Sequence, residues 1–269
     1  MSRKKKNFVS HRLLSLSNFT LVLTLIFLFL PLVVVAVFSF NGSKGMTWTG
    51  FSLRWYETLF FSSPDLWRAT WNSVIVALTS SVTATFIGTL AAIGLKWYSF
   101  KGKTYIAVTG YLPMVLPEVI IGISMLIFFS AVNIPLGRFT IYVAHTTFCL
   151  PFVFMLISAR LDEFDFSTVE AARDLGATER QTLTKVIVPS IMPGVASSML
   201  ISITMSLEDF VITFFVSGPG SGTLPLYVYS SIRYGVSPVI NALSFVIVLF
   251  TMLVAFVFRR FLKSVAAAS

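Results

Sequence analysis

A chain of 269 residues that is 56% hydrophobic and only 12% charged, with a mean hydropathy of +0.86, has about half the charge of an ordinary soluble domain. A water-soluble core cannot hide that much apolar surface, so the length is read as helices crossing lipid and not as one or two soluble domains. The net charge of +9 does not point to nucleic acid, because the basic residues sit in short segments between apolar runs and form no aromatic-interleaved patch. The single Cys149 lies inside an apolar run, which excludes a disulfide framework or a CxxC metal site within this chain.

Six apolar runs, over residues 19–40, 72–95, 105–132, 139–159, 195–216 and 239–258, are long enough to span a bilayer. The first follows Arg3, Lys4, Lys5, Lys6 and Arg12 like a signal peptide, but it is long and lacks an A-x-A-type cleavage site, so it reads as a retained first helix. With the N-terminus inside, fifteen of the 20 Lys and Arg residues fall on the inner side. The five on the outer side are Lys44, Arg54, Arg68, Arg138 and Arg233. This asymmetry places both termini in the cytoplasm. Trp48, Trp55, Trp67 and Trp71 gather at the first outer loop, which is expected to lie on the membrane surface.

The second run carries Ser80, Ser81, Thr83, Ala84, Gly88, Ala91 and Ala92, small residues that let helix backbones approach closely. In the third, Pro113 and Pro117 precede Glu118, and each removes a backbone donor and strains the helix. The fourth holds His145 beside Thr146 and Thr147, which reads as an interhelical hydrogen bond. The fifth contains Glu208 and Asp209. No repeat, low-complexity tract or separable soluble domain interrupts the chain. The predicted fold is an all-α polytopic membrane domain over residues 1–269.

The long inner loop at 160–188 holds six acids and four bases and reads as structured. Ser167 and Glu170 have capping-box spacing, which predicts a helix start. Ala171, Ala172 and Leu175 continue that helix, Gly176 permits a turn, and Thr178 opens a second short helix ending before Pro189.

At these residues the chain resembles a family. Glu170-Ala171-Ala172, then Gly176, then Val186-Ile187-Val188-Pro189 look like the EAA loop of permease subunits in binding-protein-dependent ABC importers, EAA-x3-G-x9-I-x-L-P, with Val186 and Val188 replacing Ile and Leu. Further stretches resemble the spermidine/putrescine branch, in particular the second of its two permease subunits. They are Trp48-Thr49-Gly50-Phe51-Ser52 with Trp55-Tyr56, His145 through Phe152, residues 206–211, Ser217-Gly218-Pro219, Leu224-Pro225-Leu226 and Gly235-Val236-Ser237-Pro238. Where that family often has Glu after the last proline, this chain has Val239, which removes one acid from the outer mouth.

The resemblance implies a type I ABC importer permease fold in a bacterial plasma membrane. It implies that Ser167, Glu170, Ala171, Ala172, Leu175, Gly176 and Pro189 belong to a coupling loop that docks on a cytoplasmic ATPase. The implied partners are a sister permease in a heterodimer, two ATPase copies that bind ATP and Mg, and an extracytoplasmic substrate-binding protein. The chain itself has no GxxxxGK[ST] loop, HExxH, nucleophile triad or Cys/His cluster, so no cofactor, metal or catalytic residue is assigned to it.

Glu118, Glu208 and Asp209 are the acids within apolar runs, and each costs about 3 kcal/mol at the bilayer centre if it faces lipid. Counted as continuous helix, Glu118 lies roughly 20 Å from Tyr105 and Glu208 about 22 Å from Pro193, depths that let them share one cavity. They are the candidates for an acidic path for cationic amines. Alternatives from other classes are a secondary transporter or channel using these carboxylates, and a membrane-embedded enzyme. Neither needs a docking loop, and the enzyme lacks a catalytic cluster.

Overall fold

A computed structural model describes residues 16–45, 47–233 and 238–266. Arg3, Lys4, Lys5, Lys6 and Arg12 lie outside the described residues, as do Gly235, Val236 and Ser237 of the last family stretch and the side chains of Arg259, Arg260 and Lys263. Among the described residues the regular structure is helical, apart from a lone antiparallel bridge between Asn41 and Phe51. Five helices are long and apolar enough to cross a membrane, and a sixth span is completed by a broken pair.

The described residues up to Pro64 and from Ser231 onward form one compact unit. In it α1 (Leu16–Phe38) and the short α2 (Arg54–Phe61) pack on α12 (Pro238–Ala266). The loop between α1 and α2 is organised by Asn41, whose Oδ1 accepts from the Thr49 amide at 2.9 Å and whose Nδ2 donates to the Thr47 carbonyl at 2.8 Å. Trp55 donates its indole N–H to the Asn41 carbonyl and is buried. This tryptophan is therefore a core residue, unlike Trp48, Trp67 and Trp71, which stay exposed as headgroup anchors would.

Residues 65–230 form the second unit. It contains α3 (Pro64–Trp97), α4 (Lys103–Val115), α5 (Glu118–Ala131), α6 (Arg138–Asp162), α7 (Ser167–Asp174), α8 (Glu179–Thr182), α9 (Val188–Glu208), α10 (Val211–Val216) and most of α11 (Leu224–Arg233). Helix α6 is its axis: 56% of its most apolar stretch is buried, against 22% for the span that ends in α9. Ile141, Ala144, Cys149, Val153 and Ile157 of α6 are fully enclosed. The small residues of α3 do what their type predicts. A Cβ on Gly88 would sit 2.7 Å from Val153 Cγ1, so only glycine lets α3 lie this close to α6.

Two spans depart from the expected continuous helices. The 105–132 run is broken between α4 and α5 with a bend of 109°. Leu116 turns extended (φ −78°, ψ 137°), because Pro117 disfavours helical backbone in the residue before it and ends the ladder. The 195–216 run is broken after Glu208, where Asp209 turns extended (φ −63°, ψ 123°) before α10 begins. The depths counted along unbroken helices therefore do not apply beyond these breaks. The segments that follow the two breaks, α5 and α10, pack on each other so closely that a Cβ on Gly122 would lie 2.6 Å from Phe215 Cδ2.

The α3–α6 crossing makes a stability prediction. Gly88→Val should destabilise the purified protein by about 1–3 kcal/mol through overpacking, read as a lowered thermal midpoint. Adding Val153→Ala should restore part of the loss, since it removes the atoms in collision.

Candidate functional site

The 160–188 loop folds as α7, a turn, and α8, but its capping differs from the sequence expectation. Ser167 is the first helical residue and Phe166 the N-cap, with no side-chain cap. The Ser167 amide donates instead to Asp165 Oδ1 at 2.9 Å, and bonds from Ser167 hold the Asp165 carboxyl below its usual range. Glu170 is left exposed. The capping box lies one helix later: Thr178 Oγ1 accepts from the Gln181 amide at 3.3 Å while Gln181 Oε1 accepts from the Thr178 amide at 2.9 Å.

Between the two helices the chain closes a Schellman turn. The Ala177 amide donates to the Ala172 carbonyl at 3.0 Å and the Gly176 amide to the Arg173 carbonyl at 2.8 Å, with Gly176 at φ +83°. The glycine of the EAA pattern is thus fixed by a left-handed C-cap. Directly before it, Leu175 is 90% exposed at the tip of the loop, and Ala171 is exposed beside it.

The second helix does not end before Pro189. Residues Glu179–Glu208 form one 30-residue span in which a π turn, Leu183–Ile187, precedes α9. Pro189 has no amide hydrogen and its ring crowds the carbonyl of residue 185, so a wider turn just before it lets the helix continue. The loop is therefore joined without a break to the helix that carries Glu208.

A second link holds the loop to α3 and α6. Val169 is buried, Arg173 lies 5.5 Å from the Trp97 ring centroid, and Trp97 lies 6.3 Å from the Phe166 ring. Lys96 pairs with Asp162. Nothing in the local pattern marks Trp97, Phe166 and Arg173 as a cluster; the available signal is that Trp97, alone of the five tryptophans, sits at the far end of its span.

At the other end of α9 the three acids separate. Glu118 starts α5 immediately after the α4–α5 break, Glu208 ends α9 immediately before the other break, and both are exposed. Glu118 lies within electrostatic range of Glu208 and Asp209. Glu118 lies beyond the α4–α5 break, so the depth counted along unbroken helix does not apply to it. Asp209, however, is turned into the protein, with 2% of its side chain exposed. It is not the helical neighbour of Glu208 rotated by a residue step, because its backbone has left the helix.

Asp209 caps α10. Its Oδ1 accepts from the Ile212 amide at 3.2 Å, and its Oδ2 accepts from the Thr213 amide at 2.9 Å and the Thr213 hydroxyl at 2.8 Å. Its Oδ2 also lies 3.1 Å from His145 Nε2. His145 makes the expected interhelical bonds, with Nδ1 2.7 Å from Ser206 Oγ and Nε2 2.9 Å from Thr213 Oγ1. Ser206 in turn meets Ser80 of α3 at 3.2 Å.

Residues 84–268 match the family described as binding-protein-dependent transport system inner membrane component. The spermidine/putrescine transport system permease protein PotC of Escherichia coli (strain K12) is 39% identical over 227 residues, 84% of this chain and 86% of that protein. The putrescine transport system permease protein PotI of the same strain is 41% identical over 232 residues, 83% of this chain and 82% of that protein. Among solved structures, a bacterial ABC transporter involved in alginate import aligns with a TM-score of 0.71 at 19% identity, over 91% of this chain and 92% of that one. The inward-facing MetNI methionine ABC transporter aligns with a TM-score of 0.59 at 21% identity, over 74% and 95%. The fold is that of ABC importer permeases, and the chain belongs to the family of binding-protein-dependent transport system inner membrane components.

Proposed function

We propose that this permease carries linear polyamines along a path lined by Glu118 and Glu208, and that the 160–188 loop couples it to a separate ATPase. The observation that carries the substrate reading is the pair of exposed carboxylates at the two helix breaks. An anion at membrane depth is costly against lipid and is retained where it faces protein, water or a counter-charge. A protonated amine leaving water needs fixed anions of this kind. The relatives named as spermidine/putrescine and putrescine permeases support the same cargo.

For coupling, the supporting observation is Leu175. A leucine that is 90% exposed on a loop outside the spans has no lipid to cover it, and a groove on a partner would. In this reading Glu170, Ala171, Ala172, Leu175 and Gly176 form the docking surface, Ser167 begins its helix, and Pro189 lies behind it at the head of α9. The ATPase is present in two copies and binds ATP and Mg. A sister permease completes the channel, and an extracytoplasmic binding protein delivers cargo. The chain lies in a bacterial inner membrane with the loop and both termini in the cytoplasm.

The substrate path is tested in proteoliposomes holding the complete complex. Glu118→Gln or Glu208→Gln should lower polyamine uptake about tenfold, the loss expected when one charged hydrogen bond to the cargo is removed, while basal ATP hydrolysis persists. Unaltered affinity and rate in both variants would remove the path.

Coupling is tested by Gly176→Val, which forces a β-branched residue to φ +83°, and by Glu170→Lys. Both variants should still insert, and substrate-stimulated ATP hydrolysis should be lost. Normal stimulation in both would place docking elsewhere. The isolated chain should show no nucleotide binding by calorimetry, and binding at ordinary affinity would contradict a separate ATPase.

A further inference from the structure

The broken spans place two adjacent acids in opposite roles. Glu208 is exposed, whereas Asp209 is enclosed together with His145, whose side chain has no exposure at all. We infer that His145 and Asp209 form a buried latch that sets the α9–α10 break and so presents Glu208 and Glu118 to the cargo, without either latch residue touching it. The inference rests on the polyamine-path reading and divides its acids.

The geometry supplies the reason. A desolvated carboxylate persists where donors saturate it. Here the Ile212 amide, the Thr213 amide and the Thr213 hydroxyl donate to Asp209, and His145 Nε2 faces the same Oδ2. A tautomer with the proton on Nε2 satisfies the whole set: Nδ1 accepts from the Ser206 hydroxyl, whose oxygen accepts from Ser80. With both of its oxygens engaged and its side chain enclosed, Asp209 offers no face to an amine.

The same bonds tie the break to three other places in the fold. Ser80 anchors it to α3, His145 to α6, and Ser206 to the last turn of α9. Thr140 at the start of α6 also donates to the Val216 carbonyl at 2.7 Å, which holds the far end of α10. If Asp209 lost these bonds, the first amides of α10 would be orphaned, and α9 could run one residue further. Each residue of added helix rotates the chain beyond it by about 100°, so Glu208 and the α10 face against α5 would no longer hold their present relation.

The test uses the complete complex in proteoliposomes and measures uptake of a dicationic and a tricationic amine, putrescine and spermidine. His145→Gln and Asp209→Asn should each lower maximal uptake about tenfold, as for a buried partner left unpaired, and the double variant should be no worse than the poorer single one. The ratio of the two KM values should move less in all three than it does in Glu208→Gln. Glu208→Gln, which removes charge from the path, should change that ratio.

Thr213→Val and Thr213→Ser guard against a variant that fails to assemble: the valine should lose rate and the serine should keep it. The latch is overturned if Asp209→Asn shifts the KM ratio as far as Glu208→Gln does, because Asp209 then meets the cargo itself. It is equally overturned if the losses from His145→Gln and Asp209→Asn multiply, because the two residues then act separately. Failure of the path reading looks different. There the glutamate variants are silent for both amines, and the presenting role of the latch falls with them.

Discussion

Lipid offers no hydrogen bonds, so every interruption of a spanning helix must be repaired from inside the protein. This chain interrupts two of its spans, and much of its buried polar chemistry is the repair. After Glu208 the free amides of α10 are met by one carboxylate, and that carboxylate is met by a histidine from the most enclosed helix. Between α4 and α5 proline at 117 has no amide to orphan, and the Ile120 amide returns to its carbonyl at 2.9 Å. The breaks are held by two different devices, one polar and one covalent.

Because the repair uses the acid nearest the break, a second acid one residue away is free to do something else. That is how two adjacent carboxylates come to differ, one buried and one exposed. The packing of α5 on α10 then carries Glu118 into the same neighbourhood. The acids of the apolar runs thus flank the two places where the backbone leaves the helix.

Much of this is legible in the residues. Hydropathy locates the six spans, although α3 begins earlier, at Pro64, and the span before Asp209 reaches back to Glu179. The small side chains of α3 identify a packed helix. The prolines at 113 and 117 announce a disturbance, though composition carries no measure of a 109° bend. His145 reads as an interhelical bond and makes two. The break at Asp209 is not legible, because nothing near it is proline or glycine: the residues around it, Leu207 to Val211, would suit a helix. What breaks it is tertiary, the offer of His145 to a carboxylate that can also cap. The capping box at Ser167 fails for a local reason. Asp165 competes for the Ser167 amide and wins by two-residue reach, whereas Thr178 and Gln181 have no such rival.

The loop and the acids stand at opposite ends of one element, and the connection between them has two components. Helix α9 alone is 21 residues, about 31 Å of rigid rise, but at its head lies a π turn, the least regular part of the span. A push on α7 could be absorbed there. The cluster of Arg173, Trp97 and Phe166 offers a route that bypasses that turn, since it binds the loop to the end of α3. Helix α3 then runs to Ser80, whose hydroxyl reaches Ser206 just short of the break. Both routes converge on the same network, α9 through its backbone and α3 through a hydroxyl. Loss of the aromatic cluster therefore leaves the break still tied to the loop through α9.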